Sequence, residues 1–259
     1  MPILHSKIFG NKGLDLLILH GFLGMGDNWK THAKNLSNIG FRVHLIDQRN
    51  HGRSFWDDDF TYKLMSEDLV DYCKLHDLNN IIVLGHSMGG KTAMHLACNH
   101  QELIKTFVVA DISPKTYNPD HKKILIGLSR LDFKKIRNRL DADLQLTKYV
   151  SDAVTRMFLL KNLYWVEQDK LGLRLNIDVL KNANNSVGEG LSSEMICDLS
   201  CLFIKGSNSD YILETDTHLI HHHFPKAEQF TIPDSGHWLH AENPNLFFKV
   251  VTEWLQKHV

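Results

Sequence analysis

The stretch IIVLGHSMGGKT, Ile81 to Thr92, decides how this chain is read. Four apolar residues run into Gly85, and one serine, Ser87, stands between glycines two positions before and two after. The apolar run predicts a buried strand, and the pattern after Gly90 predicts a helix. A strand that turns at once into a helix forces the residue at the turn into strained backbone angles. Small residues two positions either side relieve the crowding. The turn lifts the serine oxygen to a helix N-terminus, where the dipole favours developing negative charge. The pattern therefore presents a nucleophile. The same letters also fit a phosphate loop, because Gly85, Gly90, Lys91 and Thr92 satisfy G-x-x-x-x-G-K-[ST]. That makes a nucleotide binder the competing expectation, although no strand-ending aspartate stands out as a magnesium ligand.

Outward from this point, strand-length apolar runs alternate with helical patterns. Strands are expected over 14–19, 41–46, 81–84, 106–110, 201–204 and 229–232, and helices over 29–37, 63–76, 91–100 and 245–258. Near-continuous apolar strands separated by helices predict a mostly parallel sheet covered on both faces. The rhythm breaks between Lys115 and Asp198, where helical periodicity prevails and no strand is evident. The expected organisation is a core of residues 1–114 and 199–259, with a helical cap of residues 115–198 over the strand ends where ligands bind.

A serine needs a base, and the base needs an orienting acid. His237, in Pro233-Asp234-Ser235-Gly236-His237-Trp238, follows the last predicted strand and lies at the same sheet edge as Ser87. An oxyanion hole needs two N–H donors. Met88 follows the nucleophile, and the loop His20-Gly21-Phe22-Leu23-Gly24 offers Phe22, with Leu23 as the alternative.

Four ordered stretches, HGFLG at 20–24, DQRNHGRS at 47–54, GHSMGG at 85–90 and SGHWLHAENP at 235–244, resemble the α/β-hydrolase superfamily, and its YbfF-type esterases most of all. The resemblance spans nearly the whole chain and is weakest in the cap. It implies an α/β-hydrolase fold: a mostly parallel central sheet flanked by helices, with a helical cap insertion. It further implies a Ser–His–acid hydrolase that cleaves esters or acyl thioesters without a cofactor. The family's usual acid position, three after Gly206, holds Ser209, and Asp210 is one residue late. Asp111, in ADISP 24 residues after Ser87, matches the D-I-x-P arrangement of the YbfF-like enzymes. Asp111 is therefore the expected acid and Asp210 the alternative, with Ser209 as a fourth member. Asp47, Arg49 and Ser54 are expected to hold their loop together.

Composition narrows the classes. The chain has 259 residues, a net charge of −1 and 43% hydrophobic residues, which argues against a nucleic-acid binder. No apolar run is long enough to span a membrane, and no leader is evident at the start, so a cytoplasmic enzyme is expected. Cys73, Cys98, Cys197 and Cys201 read as reduced thiols, and His218, His221, His222 and His223 as a solvated helix face. Between Lys122 and Arg139 lie seven Lys or Arg and one Asp. That run suggests Lys122, Lys123 and Arg130, with Trp238, as substrate contacts, the cations meeting an anionic leaving group. The scaffold also hosts lyases, C–C hydrolases and ligand-binding receptors. Oligomeric state is not encoded in these patterns.

Overall fold

A computed structural model describes residues 2–118 and 120–259. Seven strands form the central sheet: β1 (Ser6–Phe9), β2 (Asp15–Leu19), β3 (Arg42–Ile46), β4 (Ile81–His86), β5 (Ile104–Ala110), β8 (Cys201–Gly206) and β9 (Ala227–Ile232). Their order is β1-β3-β2-β4-β5-β8-β9. Only β1 runs antiparallel to its neighbour. Helices α1 (Lys30–Asn38), α2 (Tyr62–Leu75) and α3 (Met88–Asn99) connect the first strands, and α9 (Thr217–His223), α10 (Leu239–Glu242) and α11 (Pro244–His258) complete the core.

The side-chain period of two explains why both sheet faces need cover. Leu17, Leu19, Ile81, Val83, Phe107 and Val109 enter one apolar cluster, shared with α2, α3 and α9. The alternate residues Leu16, Ile18, Ile82, Leu84 and Val108 enter the other, shared with α1 and α11. Each of these side chains is at most 1% exposed, and burying each stabilises the fold by about 1.5–3 kcal/mol.

Residues 115–198 were expected to lack strands, but they contain a two-stranded antiparallel hairpin, β6 (Leu163–Glu167) and β7 (Lys170–Leu173). Helices α4 (Lys122–Ser129), α5 (Arg139–Leu146), α6 (Ala153–Leu159), α7 (Ile177–Leu180) and α8 (Asn184–Gly188) surround it. A third apolar cluster joins this cap to the core through Leu23, Tyr62, Met65 and Met88.

The cap docks on the loop of residues 47–54. The Gly52 amide donates to the Arg174 carbonyl (2.8 Å) and the Asn176 amide to the Asn50 carbonyl (3.0 Å). That loop is itself braced. Asp47 accepts from the amides of Gly26 (2.7 Å) and Arg53 (2.9 Å), and the Ser54 hydroxyl donates to the Asp47 carbonyl. Arg49 forms its two-pronged ion pair with Asp68 of α2, at 2.6 and 2.8 Å.

Candidate active site

The parallel register brings Leu19, Gly85, Val109 and Phe203 level across the sheet. Two further backbone bonds extend this ladder past the strand ends: the Ser87 amide donates to the Ala110 carbonyl (2.9 Å) and the Asp111 amide to the Ile204 carbonyl (2.8 Å). Ser87 and Asp111 are therefore fixed at one edge by the sheet itself. Both carry left-handed φ, +52° at Ser87 and +53° at Asp111, a conformation that costs a non-glycine residue about 1–3 kcal/mol. Packing at the turn holds Ser87 there. A Cβ on Gly85 would meet the Gly89 carbonyl oxygen at 2.2 Å, and one on Gly89 would meet the Leu19 carbonyl oxygen at 2.3 Å.

His237 reaches the same edge from the loop after β9. The Ser87 hydroxyl lies 3.0 Å from His237 Nε2, and His237 Nδ1 lies 2.7 Å from Asp111 Oδ2. The Asp111 carboxylate is completely buried, whereas the His237 ring is 26% exposed. Asp111 Oδ1 accepts from the Gly206 amide (3.2 Å), and Oδ2 also accepts from the Ser209 hydroxyl. Ser209 thus contacts the carboxylate. Asp210 is exposed and takes no part in this network. The ring of Tyr211 stacks on His237 with centroids 3.8 Å apart, a contact that sequence reasoning missed.

The loop opposite Ser87 is organised by buried neutral histidines. The Leu23 amide donates to His51 Nε2 (3.1 Å), so His51 Nδ1–H donates to the Arg49 carbonyl (2.9 Å). The Gln48 amide donates to His20 Nε2 (3.0 Å), and His20 Nδ1–H donates to the Gly21 carbonyl (2.8 Å). Burial pushes His20 down to about 4 and His51 to about 3, consistent with these single tautomers. With its N–H already engaged by His51, Leu23 is corrected as an oxyanion donor. The Phe22 and Met88 amides have no recorded partner among the described residues. Met88 also opens α3, where the first amides of a helix point outward. Gly21 keeps the approach close, because a Cβ there would come 2.8 Å from His86 Nδ1 and 3.4 Å from Ser87 Cβ. His86 Nε2–H donates to the His237 carbonyl (2.8 Å), and burial lowers His86 to about 3.

Above Ser87 lies a cavity of about 100 Å³, walled by Phe22, Met88, Ile124, Phe158, Leu159 and Trp238 among others. Among the described residues, no Lys, Arg, Asp or Glu lines it. Trp238 is in its wall, packed on Phe158 at 5.4 Å between centroids. Lys122, Lys123 and Arg130 are exposed on and just after α4 and do not line the cavity. The cap residue His121, which sequence reasoning overlooked, does face the cavity and packs on Phe22.

The phosphate-loop spacing is a coincidence of letters. The Lys91 ammonium is fully buried and donates to the carbonyls of Glu189 (2.6 Å), Lys115 (2.7 Å) and Pro114 (3.2 Å). The Thr92 hydroxyl is held by Gln48 Oε1 and the Met88 carbonyl. Neither side chain faces a phosphate-sized space. On α9, His223 Nδ1 bonds the Met195 carbonyl and His222 Nε2 the Ser193 carbonyl. Three of the cysteines are buried and Cys98 is half-buried. Among the described residues, no helix is long and apolar enough to cross a membrane.

A family model described as the alpha/beta hydrolase fold matches residues 16–244. The chain belongs to the α/β-hydrolase family. It is similar to esterase YbfF of Escherichia coli, with 30% identity over 93% of this chain and 92% of that protein. It is also similar to the mouse sn-1-specific diacylglycerol lipase ABHD11, with 33% identity over 98% of this chain and 85% of that one. A solved marine microorganism esterase superposes with a TM-score of 0.94 at 39% identity, covering 98% of this chain and 99% of the other. This hydrolase is accordingly of the carboxylesterase type and acts on esters.

Proposed function

We propose that the hydrolase cleaves esters of short, uncharged acyl groups through a Ser87–His237–Asp111 triad and an acyl-enzyme intermediate. The observation that carries this reading is the continuous chain of contacts from Ser87 Oγ through His237 to the buried Asp111 carboxylate, open to an apolar cavity without a formal charge.

His237 Nε2 takes the Ser87 proton as Oγ attacks the carbonyl carbon. The C=O π electrons move onto oxygen, and the amides of Phe22 and Met88 stabilise the oxyanion. Asp111 holds the ring so that Nε2 is the basic atom and stabilises the charge it acquires. The proton then passes to the departing alkoxide, and water repeats the sequence on the acyl-enzyme. An acyl thioester follows the same course with a thiol leaving group. The small cavity supports a short acyl group, and the exposed Lys122, Lys123 and Arg130 would meet the phosphates of a coenzyme A leaving group outside it.

The test is the hydrolysis of p-nitrophenyl acetate by Ser87→Ala. Its kcat should fall by about 10⁴-fold or more with an unchanged melting temperature. Wild-type turnover by that variant would refute the assignment.

A further inference from the structure

The cap carries an exposed apolar face that the hydrolytic site does not use. Leu140 and Leu144 lie one turn apart on α5 and are 65% and 59% exposed. Val154 and Met157 lie one turn apart on α6 and are 54% and 59% exposed. Leu140 and Met157 line one open groove between the two helices, with Arg139 on its rim. Arg139 also borders the adjoining crevice at the hairpin, where Trp165 is 56% exposed. The apolar side chains thus form one neighbourhood rather than scattered singles.

Its charge is one-sided. Residues 121–173, from α4 through the hairpin that carries Trp165, hold eleven Lys or Arg against six Asp or Glu, although the whole chain is −1. Three of the cations are neutralised, Lys135 by Asp132, Arg156 by Asp143 and Lys170 by Glu167. Lys134, Arg137, Arg139, Lys148 and Lys161 are exposed and carry no ion pair among the described residues.

We propose that this face of the cap seats on an anionic lipid surface. The aliphatic side chains and Trp165 enter the boundary between headgroups and acyl chains, while the surrounding cations stay at the level of the lipid phosphates. Such a surface satisfies the apolar and the basic parts together. An identical face of a second copy would set two net-positive faces against each other. The opposite side of α6 supplies Thr155, Phe158 and Leu159 to the cavity wall. Docking therefore brings the bilayer within one helix thickness of the catalytic cavity.

The test is cosedimentation of the Ser87→Ala protein with vesicles of phosphatidylcholine alone, or of phosphatidylcholine with about one third phosphatidylglycerol. Binding to the anionic vesicles should be at least about tenfold tighter and should weaken with salt. Leu144→Glu/Met157→Glu and Arg137→Glu/Arg139→Glu should each abolish it. In the Ser87 background, both pairs should melt normally and hydrolyse soluble p-nitrophenyl acetate at the wild-type rate. No binding, equal binding to neutral vesicles, or binding unchanged by either pair would overturn the proposal. So would a dimer in light scattering that the Leu144/Met157 pair dissociates, because the occupant would then be a second copy. Since the readout is binding by a protein without its serine, failure here leaves the esterase reading untouched.

Discussion

The Ser209 hydroxyl donates to Asp111 Oδ2, the same oxygen that faces Nδ1–H of His237. A serine thus stands three residues after Gly206, and braces a carboxylate supplied by the neighbouring strand. If Asp111 is the working carboxylate, Asp111→Asn should lower kcat for p-nitrophenyl acetate by about 10³–10⁴-fold, because the ring would be held in the wrong tautomer. Ser209→Ala should cost about 10-fold, the value of one hydrogen bond to a charged group. Asp210→Asn should leave kcat within about twofold. Steady-state kinetics on the three variants rank the contributions, and a large loss at Asp210 would reverse the assignment.

Lys91 ties the helix that opens at Ser87 to both ends of the cap, through Pro114 and Lys115 on one side and Glu189 on the other. Lys91→Met fills similar space but leaves three carbonyls without their donor. Unfolding in urea should show a loss of about 1–3 kcal/mol. Limited proteolysis should cut first near residues 115 and 189, where the cap would loosen.

Gly21 permits the close approach of the Phe22 loop to Ser87. Gly21→Ala places a Cβ 2.8 Å from His86 Nδ1, so the loop must retreat. If the Phe22 amide is the oxyanion donor, its displacement costs about 10²–10³-fold in kcat. Circular dichroism should show the fold retained while activity is lost.

Acid should destabilise this protein through its buried histidines. Burial lowers His20 and His95 to about 4, and His51 and His86 to about 3, against an ordinary value of 6.5. Below pH 6.5 the unfolded chain binds protons that the folded one refuses. Stability is therefore full above about pH 6.5 and is lost as pH falls toward 3–4. Each such group adds up to about 1.4 kcal/mol per pH unit to the slope. His95 Nε2 is buried without a hydrogen-bond partner among the described residues, and its ring stacks on Tyr62 at 5.4 Å. His95→Phe should flatten the melting-temperature profile between pH 6 and pH 4, about one proton's worth. An unchanged slope would show that His95 protonates without unfolding.

Acyl-CoA hydrolysis, if the cations of α4 meet the leaving group, should fall with salt far more than hydrolysis of a neutral ester. Lys122→Glu/Lys123→Glu should then raise KM for the thioester alone. Equal salt dependence would remove these residues from substrate binding.

Legibility followed burial. The parallel strands were readable because both faces are buried, which makes each an apolar run such as LLIL at 16–19. The edge strand β1 escaped because its residues SKIF are mostly solvent-facing. The cap hairpin escaped because Tyr164 to Glu167 lie toward the surface and carry no alternation. Ser87 and His237 were legible because each sits in a turn next to a strand end. The place of Asp111 depended on the sheet register, which a local sequence window does not contain. The basic run on α4 was legible as charge, but its direction away from the cavity was set by the packing of Ile124, Leu125 and Leu128 on the inner side. Tyr211 and His121 gave no sequence signal, since stacking on His237 and on Phe22 arises only when distant loops meet.

The most direct measurement is mass-spectrometric mapping after reaction with a fluorophosphonate, comparing wild type, Asp111→Asn and Asp210→Asn. An activated nucleophile predicts one adduct, on Ser87, formed at the wild-type rate in Asp210→Asn and far more slowly in Asp111→Asn. An unlabelled Ser87 in folded wild-type protein, or an adduct on another residue, would contradict the account.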